Sequence, residues 1–274
     1  MWQMCLSRNL VSLGGFFVKN TSETKGSSAG SRAVKSSARA VQILEILAGS
    51  STSLNLSNIS RISGIPKSSL HGILRTLTDK GWVAYSKGNN SYSVGLKSLK
   101  VGARFLETDM LANQALPMMS HFRDKFDETI NLGRFDGYNI IYLLSFESSK
   151  NLRNYPRIGR STPAYSSALG KAILGHRNMN EIRQIYKEPF IKLTNKTVPN
   201  LEQLEIEIAK TVSQGYAIEH EQSATGFSCI AVSINKHFPP VDSISVSMPK
   251  SNLTQKRIDF IVPKLFIIAK NLAR

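Results

Sequence analysis

Residues 64–82 read GIPKSSLHGILRTLTDKGW, and the order of apolar and polar residues in that stretch decides the fold around it. After Pro66 the apolar side chains fall at Leu70, Ile73, Leu74 and Leu77. This is the i, i+3, i+4, i+7 spacing of a helix with one buried stripe. Pro66 suits the first helical turn, where a missing N–H costs no hydrogen bond, and Gly81 suits the left-handed position just past the end. The opposite face carries Lys67, Ser68, His71, Gly72 and Arg75, with no carboxylate before Asp79. A helix face that is merely solvated usually mixes both signs of charge. This one offers cations and small hydroxyls.

Working outward, Ser36-Ser37 precede ARAVQILEILAG, in which Val41, Leu44 and Leu47, joined by Ile43 and Ile46, are expected to form an apolar face ending at Gly49. Leu56-Ser57-Asn58 starts a short helix with Ile59 and Ile62 inward, and Ser63-Gly64-Ile65 makes a tight turn into the helix at 67. A short helix, a glycine-containing turn and a second helix with a basic front form a helix-turn-helix. Trp82–Tyr85 and Ser91–Val94 are strand-like runs around Lys87-Gly88-Asn89-Asn90, a strong turn sequence, so a hairpin wing follows. Residues 34–98 therefore read as a winged helix-turn-helix. An α-helix fits the DNA major groove, and its N-terminus favours phosphate through free N–H groups. Lys67, Ser68, Ser69, His71 and Arg75 are the candidate contacts of the recognition helix. Lys87 and Asn89 in the wing, with Lys35 and Arg39 at the first helix, are candidate backbone contacts. Taken singly, each is also what an ordinary solvated surface looks like.

The chain has 274 residues, 41% of them apolar, and a formal net charge of +16. Its basic excess is uneven: residues 1–105 hold 14 Lys/Arg against 3 Asp/Glu, and residues 106–274 hold 21 against 16. The excess sits where the basic helix sits, which points to a polyanionic partner there. The length suits two domains. No apolar run approaches the 18 or so residues of a membrane span. Two cysteines, Cys5 and Cys229, make no disulfide framework, so a reducing cytoplasm is the expected compartment. Residues 1–33 carry the Ser/Gly-rich NTSETKGSSAGSRA and no secretory pattern, and are expected to form a disordered tail.

Residues 99–111 look like a connecting helix, and 112–274 like a second domain. Asn113–Phe126 continues helical, with Pro117 expected to interrupt it. Thr129–Phe135 and Tyr138–Phe146 pair around Asp136-Gly137. Ser166/Ser167 caps a helix through Leu174, and Asn200 caps another with Leu201, Leu204, Ile208 and Val212 inward. Strands follow at Tyr216–Glu221, Cys229–Ile234 and Ser243–Met248, then a last helix from Thr254. The fold class is α+β with a mostly antiparallel sheet flanked by helices. Enzyme signatures fail: there is no G-x-S-x-G and no G-x-G-x-x-G, and SSALGKA matches a phosphate loop only at Gly170-Lys171. The five histidines show no metal-ligand spacing, so neither metal nor cofactor is expected. Ser245 and Ser247 alternate along one strand and share a side. With Cys229 they form either a polar pocket floor or a plain solvent face.

Several ordered stretches resemble the IclR family of bacterial transcriptional regulators over about residues 34–260. They are ARAVQILEIL, IPKSSLHGILRTLTDKGWV, YSVGLKSLKVG, RIGRSTPAYSSALGKAIL, GYAIEHEQSATGFSCIAVSI and SISVSMPKSNLT. The resemblance implies a winged helix-turn-helix, a linker helix and a GAF/profilin-like effector domain, acting as a homodimer or homotetramer on double-stranded operator DNA. It places the effector site at Ala168, Leu169, Glu219, Cys229, Ser245 and Ser247. NLRNYPRIGRSTPAYSSALGK is similar to the sugar-acid-responsive branch, that of 2-keto-3-deoxygluconate repressors, with Tyr165 where many members have His. Three departures stand out. Gly72 takes a position often held by Arg, Glu219 replaces a common Asp, and Asn235–Val241, NKHFPPV, lacks the usual polar Asp/Gly turn.

The reading is a ligand-responsive transcription factor, a repressor of a sugar-acid operon released by a small carboxylate. The rivals are an enzyme or carrier for a small carboxylate with an appended basic module, and a non-specific nucleic-acid-binding protein.

Overall fold

The computed structural model describes residues 34–150 and 158–274. The expected tail over 1–33, Cys5 within it, and the residues 151–157 of the sugar-acid-like stretch lie outside the described residues. The chain divides into two compact units, Met1–Ala103 and Arg104–Arg274.

The first unit contains α1 (Lys35–Gly49), α2 (Leu56–Ser63), α3 (Lys67–Asp79) and the antiparallel pair β1 (Val83–Ser86) and β2 (Ser91–Val94). Its core is Ile43, Leu47, Ile59, Ile65, Leu70, Leu74 and Val83. The apolar face of α1 differs from expectation, because Ile43, Ile46 and Leu47 are buried while Val41 is 55% exposed. At 3.6 residues per turn Val41 stands about 200° from Ile43, so one stripe cannot bury both. Asn55 caps α2 by accepting the Asn58 N–H at 2.9 Å. Gly64 ends it at φ 70°, a conformation in which a side chain would be strained. Ser60 Oγ then donates to Ile65 O at 2.7 Å, which fixes the turn into α3. Pro66 stands one residue before α3 rather than within it. Leu54 bridges to Tyr92 with backbone bonds of 2.9 and 2.8 Å, adding a short third rung to the wing.

The expected connecting helix is two helices. α4 (Leu96–Thr108) ends where Asp109 takes an extended backbone and caps α5 (Met110–Phe126), accepting the Ala112 N–H at 2.9 Å. Aspartate favours that capping position, and this breaks the helical run at 109. Pro117, expected to interrupt the second helix, lies inside α5 without ending it. Burial of Ala115 and Met119 on either side of it holds the helix together where one backbone bond is lost.

The rest of the second unit is β3 (Thr129–Phe135), β4 (Asn139–Phe146), β5 (Ser161–Pro163), α6 (Ala168–Leu174), α7 (Met179–Ile185), α8 (Leu201–Gln214), β6 (Ala217–His220), β7 (Phe227–Ile234), β8 (Asp242–Pro249) and α9 (Gln255–Leu272). The strands form one sheet in the order β5-β4-β3-β8-β7-β6, with every pairing antiparallel. α5 and α9 cover one face over Ile130, Leu132, Ile230, Val232, Ile244 and Val246. α6, α7 and α8 form a second core on the other face with Tyr142, Ala217 and Ala231. On α8 the last turn buries Thr211 and leaves Val212 61% exposed, against expectation. Thr211 packs toward Gly175, the residue that ends α6, where a Cβ would come within 3.4 Å of its methyl.

Candidate functional site

Two surfaces carry the residues singled out by sequence. On α3, Leu70 and Leu74 are fully buried while Lys67, Ser68, Ser69, His71 and Arg75 are all exposed. The helix therefore presents one uninterrupted polar face. The Arg75 side chain is 78% exposed, and its Nε lies 3.9 Å from Asp79 Oδ2. A loose exposed pair of this kind is worth little in water and leaves the guanidinium free to swing to another acceptor. A Cβ at Gly72 would meet nothing within 4 Å, so its missing side chain leaves open surface. Lys87 and Asn89 are exposed in the turn between β1 and β2. Lys35 is exposed at the start of α1, and Arg39 is half-buried one turn later.

The second surface is the α6 side of the sheet. Strand pairing sets Glu219 opposite Cys229, Cys229 opposite Ser247, and Ser247 opposite Thr129. The next row runs Ala231, Ser245, Asn131, Ser145. Four of the six expected effector residues, Glu219, Cys229, Ser245 and Ser247, thus share one face of three adjacent strands. Glu219, Ser245 and Ser247 are 1%, 2% and 2% exposed. The solvent-face reading of the serines is therefore wrong for this strand, because a second helical layer covers the side they occupy. Cys229 Sγ donates to Ser247 Oγ at 3.3 Å. Ala168 and Leu169 open α6 above the sheet, and a Cβ on Gly133 of β3 would meet Leu169 Cδ1 at 3.0 Å. Ser167 caps the helix, taking the Gly170 N–H on its side chain and the Lys171 N–H on its carbonyl. The leading N–H groups of Ala168 and Leu169 remain for other acceptors.

Sequence reading missed several neighbours of these residues. Asn131, Thr129 and Ser145 belong to the same polar field. The available signal was the alternation in Thr129-Ile130-Asn131-Leu132, polar residues between aliphatic ones on a strand. Lys171, noted only as a phosphate-loop likeness, is fully buried and ion-paired with Glu207. It also donates to Gln222 Oε1 at 2.5 Å, and Gln222 Nε2 donates to Glu207 Oε1 at 2.9 Å. Burial pushes the Lys171 ammonium below its ordinary range, opposed by the Glu207 carboxylate. Burial likewise pushes the Glu219 carboxyl up, although the Ser223 and Gln222 N–H groups and Lys171 counteract it. An open cleft of about 520 Å³ lies elsewhere, lined by Gly175, His176, Val212, Ser233, Phe266 and Lys270 among others, and holds none of the six expected effector residues. Among the described residues no helix is long and apolar enough to cross a membrane.

A winged helix-turn-helix with a polar recognition face, followed by a sheet with a buried polar floor, defines a DNA-binding protein with an effector domain. Family comparison gives the class its name. The IclR helix-turn-helix domain matches residues 36–87, and the bacterial transcriptional regulator IclR C-terminal domain matches residues 103–274. The chain belongs to the IclR family of transcriptional regulators, which are not enzymes. It is 31% identical over 233 residues to the HTH-type transcriptional regulator KdgR of Escherichia coli, covering 84% of this chain and 88% of that one. It is 30% identical over 207 residues to XynR of the same organism, covering 74% and 81%. Among solved structures, an IclR transcriptional regulator from Alicyclobacillus acidocaldarius shares the fold at a TM-score of 0.76 and 22% identity, covering 88% of this chain and 98% of that one.

Proposed function

We propose that this regulator is a cytoplasmic repressor of a sugar-acid catabolic operon, released from its operator by a small carboxylate. The observation that carries the effector half is the burial of Ser245 and Ser247 on one face with Glu219 and Cys229. Buried hydroxyls in such number are unusual in a core unless something polar meets them. Ala168 and Leu169 complete the effector set with backbone N–H groups. In the first unit, Lys67, Ser68, Ser69, His71 and Arg75 face the major groove, and Lys35, Arg39, Lys87 and Asn89 hold the phosphate backbone. The similarity to KdgR over most of both chains supports the sugar-acid branch. The domains divide as 34–98 and 112–274, with 99–111 as the linker, and two or four copies assemble on a palindromic site. Effector and operator favour different arrangements of the assembly, so each weakens the other by the same factor.

The test is fluorescence anisotropy on the DNA flanking this protein's own gene, at physiological salt with scrambled competitor, followed by titration of sugar acids. Tight binding released by one acid is the expected result; binding with no preference over scrambled DNA overturns the reading. Arg75→Ala is expected to weaken operator binding by about 1–3 kcal/mol if it contacts a base. Ser247→Ala is expected to blunt release by the acid, and a response curve matching wild type would remove the serine from the site.

A further inference from the structure

The edge of β7 outruns the strand beside it. Its odd-numbered residues turn their N–H and C=O toward β6: Phe227 O accepts the Glu221 N–H at 2.8 Å on that side, while Gly226 O accepts the Lys250 N–H at 2.9 Å on the β8 side. β6 begins at Ala217, opposite Ala231, so the pairing stops one step short of Ser233. The same register would bring Gly215 opposite Ser233. Gly215 instead ends α8 at φ 79° and gives its N–H to Thr211 O at 2.9 Å. Among the described residues no strand pairs the Ser233 N–H and C=O on this side. Ser233 and Gly215 both line the open cleft of about 520 Å³, so this short edge faces it. Phe266 of α9 lies beside the edge, since a Cβ on Gly215 would meet its Cζ at 3.5 Å.

We infer that this cleft binds an uncharged flat heterocycle carrying a hydrogen-bond donor beside an acceptor, with the Ser233 backbone reading that pair and Phe266 lying against the ring. Nucleobases and carboxamide rings such as nicotinamide share this edge. In a paired strand, a residue turned toward its neighbour gives its N–H to the residue opposite and takes an N–H on its carbonyl. A ring with donor and acceptor side by side supplies what that missing residue would supply. The remaining wall suits an apolar body: Phe266 and Val212 are large exposed apolar side chains, joined by the buried Ala172 and Ala269. Charge sets the last requirement. Among the described residues Lys270 is the one charged side chain on the wall. Burial and the Arg177 guanidinium hold the His176 ring below its ordinary range, toward the neutral form. α8 and α9 both end on the cleft, at Gly215 and Ala273. Each helix end carries about half a negative charge, so together they offset Lys270. A carboxylate finds no net positive charge here, and none of the six effector residues lines the cleft.

The experiment measures binding of uracil, adenine and nicotinamide to the full chain by calorimetry, with 1,3-dimethyluracil and benzoate as controls. At least one of the three is expected to bind, and at least tenfold more tightly than dimethyluracil, which keeps the ring and loses the donors, and than benzoate, which is flat and charged. Ser233→Pro removes the N–H at an edge position where the sheet loses no bond, and is expected to weaken the favoured ring at least tenfold. Ser233→Ala keeps that N–H, removes only the 2.8 Å bond between Ser233 Oγ and His176 Nε2, and is expected to bind within twofold of wild type. If the proline variant misfolds, the wild type still decides: saturation with the favoured ring is expected to move the Ser233 amide resonance more than that of Ala231, whose edge is paired. Binding by none of the three overturns the site. Dimethyluracil or benzoate binding as tightly as the favoured ring overturns the edge chemistry, as does an unmoved Ser233 amide or full affinity in a folded Ser233→Pro variant.

Discussion

The helix α3 and the strand β8 are both built by alternating apolar with polar residues, and the polar half meets opposite fates. On α3, Leu70 and Leu74 enter the core while Lys67, Ser68, His71 and Arg75 stand in solvent. On β8, Ile244, Val246 and Met248 enter one core, and Ser243, Ser245 and Ser247 are just as deeply buried on the other side. The pattern of side chains names a face in both cases. It does not say what lies against that face. A lone helix in a small unit has water on its far side, whereas a central strand of a sheet with helices on both faces has none.

That comparison breaks if neighbours on β8 turn out to be interchangeable. Ile244→Ala removes a fully buried side chain packed between the sheet and the α5/α9 layer. It is expected to cost about 2–5 kcal/mol in urea unfolding, the range for such truncations in a core. Ser245→Ala, one residue along on the opposite face, is expected to cost well under half of that loss. Equal costs would mean that the polar floor is packed as an ordinary core.

The clamp between α5 and the sheet gives the next largest effect. Arg134 of β3 donates through Nε to Asp242 Oδ1 at 2.6 Å and through Nη1 to the Asp109 carboxylate that caps α5. Arg134→Met is expected to cost about 2–3 kcal/mol, below the 3–5 of a fully buried pair because the guanidinium is partly exposed. Burial alone raises the Asp109 carboxyl, but the Arg134 hydrogen bond and the Ala112 N–H leave it below its ordinary value. Its contribution is therefore present above the unfolded carboxyl range, near 3.9, and lost as pH falls through the lower folded value. Acid unfolding of the wild type carries that loss. The variant is expected to show less of it, which a stability profile against pH measures.

The smallest effect sharpens the α3 side. Gly72→Ala adds a methyl where nothing lies within 4 Å. It is expected to stabilise the helix by about 0.5–1 kcal/mol, read as a higher urea midpoint. A loss of stability would show that this face of α3 is not the open surface described.

The first unit was legible because its signals are local. Apolar spacing gave α3, Asn55 and Gly64 bounded α2, and the Lys87–Asn90 turn gave the wing. The expected errors were also local in origin. Val41 and Val212 are apolar residues off their stripes. Pro117 carries the local signal of a break, but the packing around it outweighs one missing bond. Asp109, the cap that divides α4 from α5, stands in a run whose helical spacing continues on both sides of it. In the second unit the strands were legible as strands, and Ser245 and Ser247 as sharing a side. Their burial was not, and neither was the company of Asn131, which reaches Ser245 from a strand more than a hundred positions earlier.

The amino-acid sequence by itself determined which residues share a face, because helical and strand periods act over a few neighbouring positions. Only the tertiary structure decided which faces meet water and which meet each other. That choice depends on strand order and layer stacking, and these are fixed by contacts between distant segments that no local period records.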